Sequence, residues 1–284
     1  MTSILWRAAR QLSAVAAIAV AVPTVTFAAD EAPALTTFNF QTIASRNPGF
    51  DRTGYVYPTG NAKAGQVNAD VGDIRLDGVV INGNTYTQAQ LQLVNAVVIV
   101  KDDAVDTARG GGNLTAGFGI GAERDTLVGQ GIGTTTPTAA NLRDAHANFN
   151  LTSIVPVREN VGTVVYEVSF AQPSDTLLLW ERGNSGDILV EAIDARGTVI
   201  GSTLVLDGDN DGGRPSAYKP TGIVVTTYVK DDFLNHGQEL STVGLRASQP
   251  VSTFRLTAVQ QAERPGAIRY NGPDLKVLAL APRQ

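Results

Sequence analysis

The chain has 284 residues, with 22 Lys and Arg against 27 Asp and Glu, a formal charge of −5, and no cysteine. This mildly acidic balance lacks the basic surface of a nucleic-acid-binding protein, and the absence of cysteine excludes disulfides, thiol nucleophiles and cysteine-based metal sites. Only 17% of the residues are charged while glycine occurs 29 times, which favours turn-rich β structure over helices that carry many ion pairs.

The first 29 residues have the three-part pattern of a secretory signal peptide. Arg7 and Arg10 precede an apolar run over residues 12–22, and small residues follow it. This run is shorter than the roughly 20 residues that a helix needs to cross a bilayer, so we predict no transmembrane anchor. We therefore predict residues 1–29 to be a cleaved signal peptide and residues 30–284 to be a single secreted or cell-surface domain.

Strand-like runs dominate the predicted mature chain, and Gly, Asn, Asp or Pro separates nearly all of them. In Val164–Phe170 the apolar side chains alternate with polar ones, so one face is expected to be buried and the other wet. That pattern is typical of antiparallel sheets, and we predict an all-β fold, an antiparallel β-sandwich of jelly-roll type. The predicted strands are Thr36–Phe40, Ile74–Ile81, Leu91–Val100, Thr163–Phe170, Thr176–Glu181, Ile188–Ile193, Thr198–Leu206, Gly222–Val229, Ser252–Val259 and Leu275–Leu280.

Local signals between these runs predict the turns and one helix. Asn82-Gly83 tolerates positive φ and predicts a tight hairpin, and Ala195–Gly197 is expected to turn in a similar way. Ala and Leu are frequent in Thr138–Asn148, the one plausible helix outside the signal peptide. Residues 106–136 are rich in glycine and poor in large apolar side chains, which predicts a long loop excursion.

The segment Trp180–Ile188 contains a Trp-Glu-Arg-Gly sequence that resembles the exosortase-dependent surface proteins of bacteria. Other segments are similar to that family in the same order, namely Gly72–Val79, Asn82–Tyr86, Leu93–Ala96 and Tyr270–Val277. The resemblance implies an exported surface protein with no established enzymatic activity. Members usually end in a Pro-Glu-Pro sorting tail, which is missing here, so we expect secretion or non-covalent attachment. Within the fold we expect Trp180–Ile188 to form a structural hairpin.

An acidic turn follows the seventh of these predicted strands and suggests a calcium site. Asp207, Asp209 and Asp211 alternate before Gly212, as in the first half of a calcium-binding loop. The twelfth position holds Tyr218 in place of the usual bidentate Glu, so other oxygen ligands would be needed. The alternative interpretation is an ordinary acidic turn between strands. Calcium bound by these three aspartates is the one cofactor that we predict, and the alternative interpretation needs none.

Catalytic arrangements are weak in this sequence. Glu181 and Asp187 are two carboxylates around one turn and could act as the acid and base of a glycosidase, but ion pairing with Arg182 on a wet sheet face is the simpler interpretation. The only histidines are His146 and His236, which excludes a histidine-rich metal centre. Both histidines are expected in loops or at strand ends.

Aromatic residues offer one possible binding surface. Trp180 is the only tryptophan outside the signal peptide, and with Tyr55, Tyr57 and Tyr86 it could form a platform on which sugars stack. Burial in the core is the commoner fate of such residues, and we favour it here.

These patterns together predict an exported, non-catalytic structural protein of the cell surface or extracellular matrix. Its partners would be further copies of itself or surface glycans, with self-association through strand edges to which a free segment such as Thr36–Phe40 could contribute. A carbohydrate-binding module is the first alternative, and a secreted glycoside hydrolase is the second.

Overall fold

The computed structural model describes residues 34–46, 55–56, 67–68, 74–102, 118–119, 138–157, 163–184, 186–208, 215–225, 227–228, 238–259 and 273–282. The predicted signal peptide lies outside these residues. The strands are β1 Leu35–Phe38, β2 Gln41–Arg46, β3 Tyr55–Val56, β4 Val67–Asn68, β5 Ile74–Ile81, β6 Asn84–Thr87, β7 Leu91–Gln92, β8 Ala96–Asp102, β9 Phe118–Gly119, β10 Val155–Pro156, β11 Thr163–Arg182, β12 Ile188–Ile193, β13 Val199–Leu206, β14 Lys219–Val225, β15 Thr227–Tyr228, β16 Gln238–Val259 and β17 Asp274–Leu280.

These strands pair in antiparallel fashion throughout, and the described residues include one α-helix, α1, at Ala139–His146, together with a 3₁₀ turn at Gln88–Gln90. The prediction of an all-β antiparallel fold with little helix is therefore confirmed, as is the helix expected within Thr138–Asn148. Thr138 caps α1, because its Oγ1 accepts a hydrogen bond from the backbone N–H of Asn141. The jelly-roll sandwich stays a prediction.

Two long strands, β11 and β16, organise the main sheet. The first half of β11, Thr163–Ser169, pairs with β8 on one edge and with Thr253–Val259 of β16 on the other. Its second half, Thr176–Arg182, pairs with Leu240–Arg246 of β16, and β17 lies along its other edge. The register shifts between the halves, where Pro173 lies, because proline cannot donate to a ladder and is tolerated in sheets mainly at bulges.

The remaining strands extend this sheet from β16 and β17. β12 pairs with the second half of β16, and β13 follows as an outer strand. β1 and β14 pair with the first half of β16, and β7 and β10 pair with β17. A separate three-stranded sheet has the order β2-β5-β6.

The second half of β11 is buried on both of its faces, since successive side chains enter two different cores. Leu177 and Leu179 pack in a larger cluster with Tyr166, Phe254 and other residues of the main sheet. Leu178 and Trp180 pack instead in a second cluster, which includes Phe40, Leu76 and Val79 from the region of the three-stranded sheet. This half of β11 is therefore an inner strand with a continuous apolar sequence.

The predicted turns are confirmed. Asn82 and Gly83 have φ values of 50° and 79° and join β5 to β6, as a two-residue hairpin with positive φ at both positions requires. Gly197 has φ of 81° and lies between β12 and β13. In the predicted Gly-rich excursion at 106–136 only Phe118–Gly119 are described, and they pair with β15.

Two local expectations are wrong. Trp180–Ile188 does not form a hairpin, because β16 lies between β11 and β12 in the sheet and β12 pairs with the opposite half of β16. Leu35–Phe38 is not a free segment, since it pairs with Gly244–Ala247 of the same chain. In both cases the partner is the polar segment Gln238–Ala247, which the sequence pattern did not single out as a strand.

Candidate functional site

The turn after β11 carries the charged residues that the sequence singled out, and its backbone is tightly constrained. Gly183 and Asn184 have φ values of 100° and 56°, so the chain turns sharply after Arg182. At Gly186 an added Cβ would lie 2.3 Å from the Cα of Pro273, so only glycine allows the turn to approach the residue that precedes β17. The glycines of this segment therefore have a packing role.

Glu181 is fully buried at the start of this turn, with 0% exposure. Neither carboxyl oxygen meets the distance and angle criteria of a hydrogen bond to any described residue. The backbone N–H groups of Asn184 and Asp274 are nevertheless close enough to stabilise the ionised carboxylate. Burial raises the pKa of Glu181 to about 8, and the negative charge of Asp274 adds to this effect, while those N–H groups and the Arg182 guanidinium oppose it. Glu181 is therefore mostly neutral at pH 7.

The neighbouring residue Arg182 is held by a buried ion pair with Asp274. Its Nε and Nη2 donate to Asp274 Oδ2 at 3.0 and 2.5 Å, and the two side chains are 4% and 15% exposed. The expectation that Arg182 would pair with Glu181 on a wet sheet face is therefore wrong. Arg182 pairs across to the start of β17, and both members of the predicted pair are buried because this half of β11 is an inner strand.

Tyr218 joins Glu181 to the acidic turn. It is 1% exposed, and its hydroxyl has no hydrogen-bond partner among the described residues. Burial first, and then the charges of Glu181, Asp187 and Asp207, raise the pKa of Tyr218 well above its usual value. Glu181, Asp187, Asp207 and Tyr218 thus form one polar cluster at the end of the larger core, which we call the core acid cluster.

The predicted calcium ligands are only partly within the described residues. Asp207 is half-buried after β13, its Oδ1 is buried with no hydrogen-bond partner, and its carbonyl accepts from the backbone N–H of Ala217. The next residue, Gly208, donates its N–H to Asp187 Oδ1 at 2.9 Å. Asp209 and Asp211 lie outside the described residues. In the described parts of the chain no group of three or more His, Asp or Glu side chains is arranged to hold a metal ion.

Of the two carboxylates predicted as the acid and base of a glycosidase, only Glu181 is buried in the core. Glu181 has the raised pKa that a general acid needs, but its two oxygens are buried away from solvent. Asp187 is half-buried and holds the backbone of the acidic turn. A substrate would therefore reach Glu181 only after its surroundings moved.

Trp180, the central residue of the possible sugar-binding platform, is buried and cannot contact a sugar. Trp180 is 0% exposed, its ring meets that of Phe40 edge to face at 5.1 Å, and its Nε1–H donates to Thr42 Oγ1 at 2.8 Å. The preferred interpretation of Trp180 as a core residue is confirmed. Tyr86 is half-buried on β6, and the side chains of Tyr55 and Tyr57 lie outside the described residues.

A second polar group, which sequence reasoning missed, surrounds Lys276 of β17. Lys276 is 0% exposed and reaches the C-terminal end of α1, where its Nζ donates to Ala145 O and to Asn148 Oδ1. His146 is also fully buried, its ring lies parallel to that of Tyr166 at 6.3 Å, and burial and then the charge of Lys276 lower its pKa well below the usual value. The expectation that His146 lies in a loop or at a strand end is wrong, and His236 lies outside the described residues.

Comparisons with protein-family models, with curated proteins and with solved structures give no match for this chain. The resemblance to exosortase-dependent surface proteins accordingly stays a prediction from the sequence. Of the helices within the described ranges, none is long and apolar enough to cross a membrane.

Proposed function

We propose that this chain is an exported, non-catalytic structural protein of the cell surface or extracellular matrix, and that its copies associate through an edge of the main sheet. The observation that carries the proposal is the edge strand β8, Ala96–Asp102. Among the described residues β8 forms a backbone ladder with β11 alone. A strand paired along one edge can accept another strand along the other.

The side chains of β8 favour such an addition. Val97 is 7% exposed and packs inward, whereas Val98 and Val100 are 52% and 51% exposed. These are β-branched residues on the outer face of a strand in which Ala96–Val100 is wholly apolar. Soluble proteins usually protect edge strands with charge, proline or a bulge. β8 has charged residues only at its end, Lys101 and Asp102, and one bulge at Val100, so the regular apolar run that could accept a strand is Ala96–Ile99.

Export and a surface location are supported by the sequence. The charged and apolar pattern of residues 1–29 favours secretion, and the resemblance around Trp180–Ile188 favours a bacterial surface protein. The burial of Trp180 removes the main support for a carbohydrate-binding platform. One observation still supports the glycosidase alternative, namely the raised pKa of Glu181. That function would also require a path by which the substrate reaches this buried side chain.

Light scattering after size-exclusion chromatography tests the proposal on the purified chain over a wide concentration range, with and without calcium. We expect oligomers for the native chain and a shift to monomer for Val98→Lys, because a charge on β8 disfavours strand addition. The matched control is Val224→Lys on β14, where the valine is 58% exposed, and this variant should associate as the native chain does. A native chain that is monomeric at all concentrations would contradict the proposal.

A further inference from the structure

The contact between Lys276 and Asn148 places an amine against a carboxamide inside the protein. Lys276 Nζ lies 2.8 Å from Asn148 Oδ1 and 2.8 Å from Ala145 O. Lys276 comes from β17 and Asn148 from the segment just after α1, so the two residues are distant in sequence and meet only in the folded chain. The lysine side chain is fully buried, and its geometry is therefore fixed by packing.

The buried amine has the properties of a nucleophile. Burial lowers the pKa of Lys276 well below its usual value, which favours the neutral amine. A neutral amine has two N–H bonds and one lone pair, and the hydrogen bonds to Ala145 O and Asn148 Oδ1 use the two N–H bonds. The third position is the lone pair, and rotation about the Cε–Nζ bond, with release of the N–H from Asn148 Oδ1, turns it toward Asn148 Cγ. Other desolvated lysines attack carbonyl carbons in this way.

The carboxamide of Asn148 is held in a position that assists attack. Its Oδ1 accepts a second hydrogen bond from the backbone N–H of Asn150 at 2.9 Å, which polarises the C=O bond and stabilises negative charge on the oxygen. Its Nδ2 donates to Asp144 O at 2.8 Å and to Ser153 Oγ at 3.2 Å. The nitrogen that would leave therefore already contacts a hydroxyl group.

We propose that Lys276 and Asn148 form an intramolecular isopeptide bond. Lys276 Nζ attacks Asn148 Cγ, a new C–N bond forms, and the bond from Cγ to Nδ2 breaks. Both nitrogens are bonded to Cγ in the tetrahedral intermediate, where a proton passes from the attacking nitrogen to the leaving nitrogen, which Ser153 Oγ holds, and ammonia departs. The products are one secondary amide and one molecule of ammonia. The reaction needs no oxidant, reductant or further reactant, and holding both groups in contact supplies the proximity that such an attack requires.

This bond would give a chain without cysteine a covalent link of the kind that disulfides supply in other exported proteins. It would connect β17 to the end of α1 and would restrict the unfolded chain as a loop-closing cross-link does. The inference rests on the contacts of Lys276 and Asn148 alone, so it stands whether or not the chain associates through β8.

Mass spectrometry of the purified native full chain tests the bond. We expect an intact mass about 17 Da below the mass calculated for the purified chain from its own N-terminal residue onward, because ammonia is lost. Tryptic digestion should give a cross-linked pair of peptides containing Asn148 and Lys276, with no cleavage after Lys276. A full calculated mass for the native chain would overturn the proposal, and this result does not depend on whether any variant folds.

Variants assign the mass change to the two residues. Lys276→Met and Asn148→Ala should both have their full calculated masses, whereas the controls Lys219→Met and Asn84→Ala, which alter exposed residues, should keep the deficit of about 17 Da. A cyclised asparagine, for example at Asn82-Gly83, also loses ammonia but gives no cross-linked peptide pair. A deficit that maps to such a site would therefore overturn the proposal as well.

Discussion

Trp180 of β11 donates its indole Nε1–H to the hydroxyl oxygen of Thr42 in β2, and the two atoms are 2.8 Å apart. This bond links the main sheet to the three-stranded sheet inside the second core. Removing the acceptor leaves a buried N–H without a partner, so Thr42→Val should lower the free energy of unfolding by about 1–3 kcal/mol. Urea denaturation followed by tryptophan fluorescence measures this loss. Thr85→Val, at an exposed position of β6 in the same three-stranded sheet, should change it by less than about 0.5 kcal/mol.

The buried Glu181 should make stability fall as pH rises. The unfolded carboxyl loses its proton near 4.5, while the folded one keeps it up to about 8, so the unfolded state binds fewer protons between these values. The free energy of unfolding should therefore decrease from about pH 4.5 to about pH 8 through this group and then level off. Glu181→Gln should lack this contribution.

The comparison of Glu181→Gln with the native chain isolates that effect, because every other titratable group is the same in the two proteins. Denaturant unfolding at several pH values should show the glutamine variant gaining stability relative to the native chain as pH rises from 5 to 8. A difference that does not change with pH would mean that Glu181 is ionised in the folded state.

Removing only one member of the ion pair between Arg182 and Asp274 should lower the free energy of unfolding considerably. With side chains 4% and 15% exposed, Arg182→Met leaves a largely buried carboxylate without its cation, and we expect a loss of about 3–5 kcal/mol. The exposed pair Arg143–Asp144 provides the control, since Arg143→Met should cost less than about 1 kcal/mol. Thermal and urea unfolding of both variants check these values, and equal losses would contradict the role of burial.

Gly186→Ala should destabilise the turn after β11. The new methyl group would lie 2.3 Å from the Cα of Pro273, and overpacking of this kind costs about 1–3 kcal/mol or more. Gly197→Ala is a useful comparison, because Gly197 has φ of 81° but no atom within 4 Å of an added Cβ, so only backbone strain of about 1 kcal/mol is expected. Circular dichroism melting of the two variants separates the two causes.

Calcium binding at the acidic turn is testable by calorimetry on protein treated with a chelator. The sequence predicts a weak extracellular-type site, with a dissociation constant of about 10⁻⁴ to 10⁻³ M, and Asp207→Asn should abolish the binding heat. Asp194→Asn, in the turn between β12 and β13, should leave the heat unchanged. Absence of any heat for the native chain would leave Asp207, Asp209 and Asp211 as an ordinary acidic turn.

Local features of this fold could be predicted from the sequence because short-range chemistry decides them. The alternation in Val164–Phe170, the hairpin at Asn82-Gly83 and the capped helix α1 all depend on neighbouring residues. The sequence pattern does not indicate the strand at Gln238–Ala247, because polar residues interrupt its apolar alternation. It predicts two strands in place of β11, because Gln172-Pro173 resembles a break between strands.

The polar sites were harder to predict for a different reason. Glu181, Arg182 and Lys276 look like residues of a wet sheet face, and they are buried because both faces of this part of the main sheet are covered. The contact between Lys276 and Asn148 joins residues more than a hundred positions apart, and no local pattern indicates it. Nothing in the composition of a single strand tells whether its other face is covered.

The long ladder between β11 and β16 has a consequence for how the chain reaches its folded state. Residues 183–237 separate the two strands, so the ladder begins to form only after this large loop has closed. Closing a large loop loses chain entropy before any stabilising contact forms, and this step is slow. Chains dominated by such long-range pairings fold in milliseconds to seconds. Until then both strands have unpaired edges, and this interval is when a newly synthesised chain has most need of isolation from its neighbours.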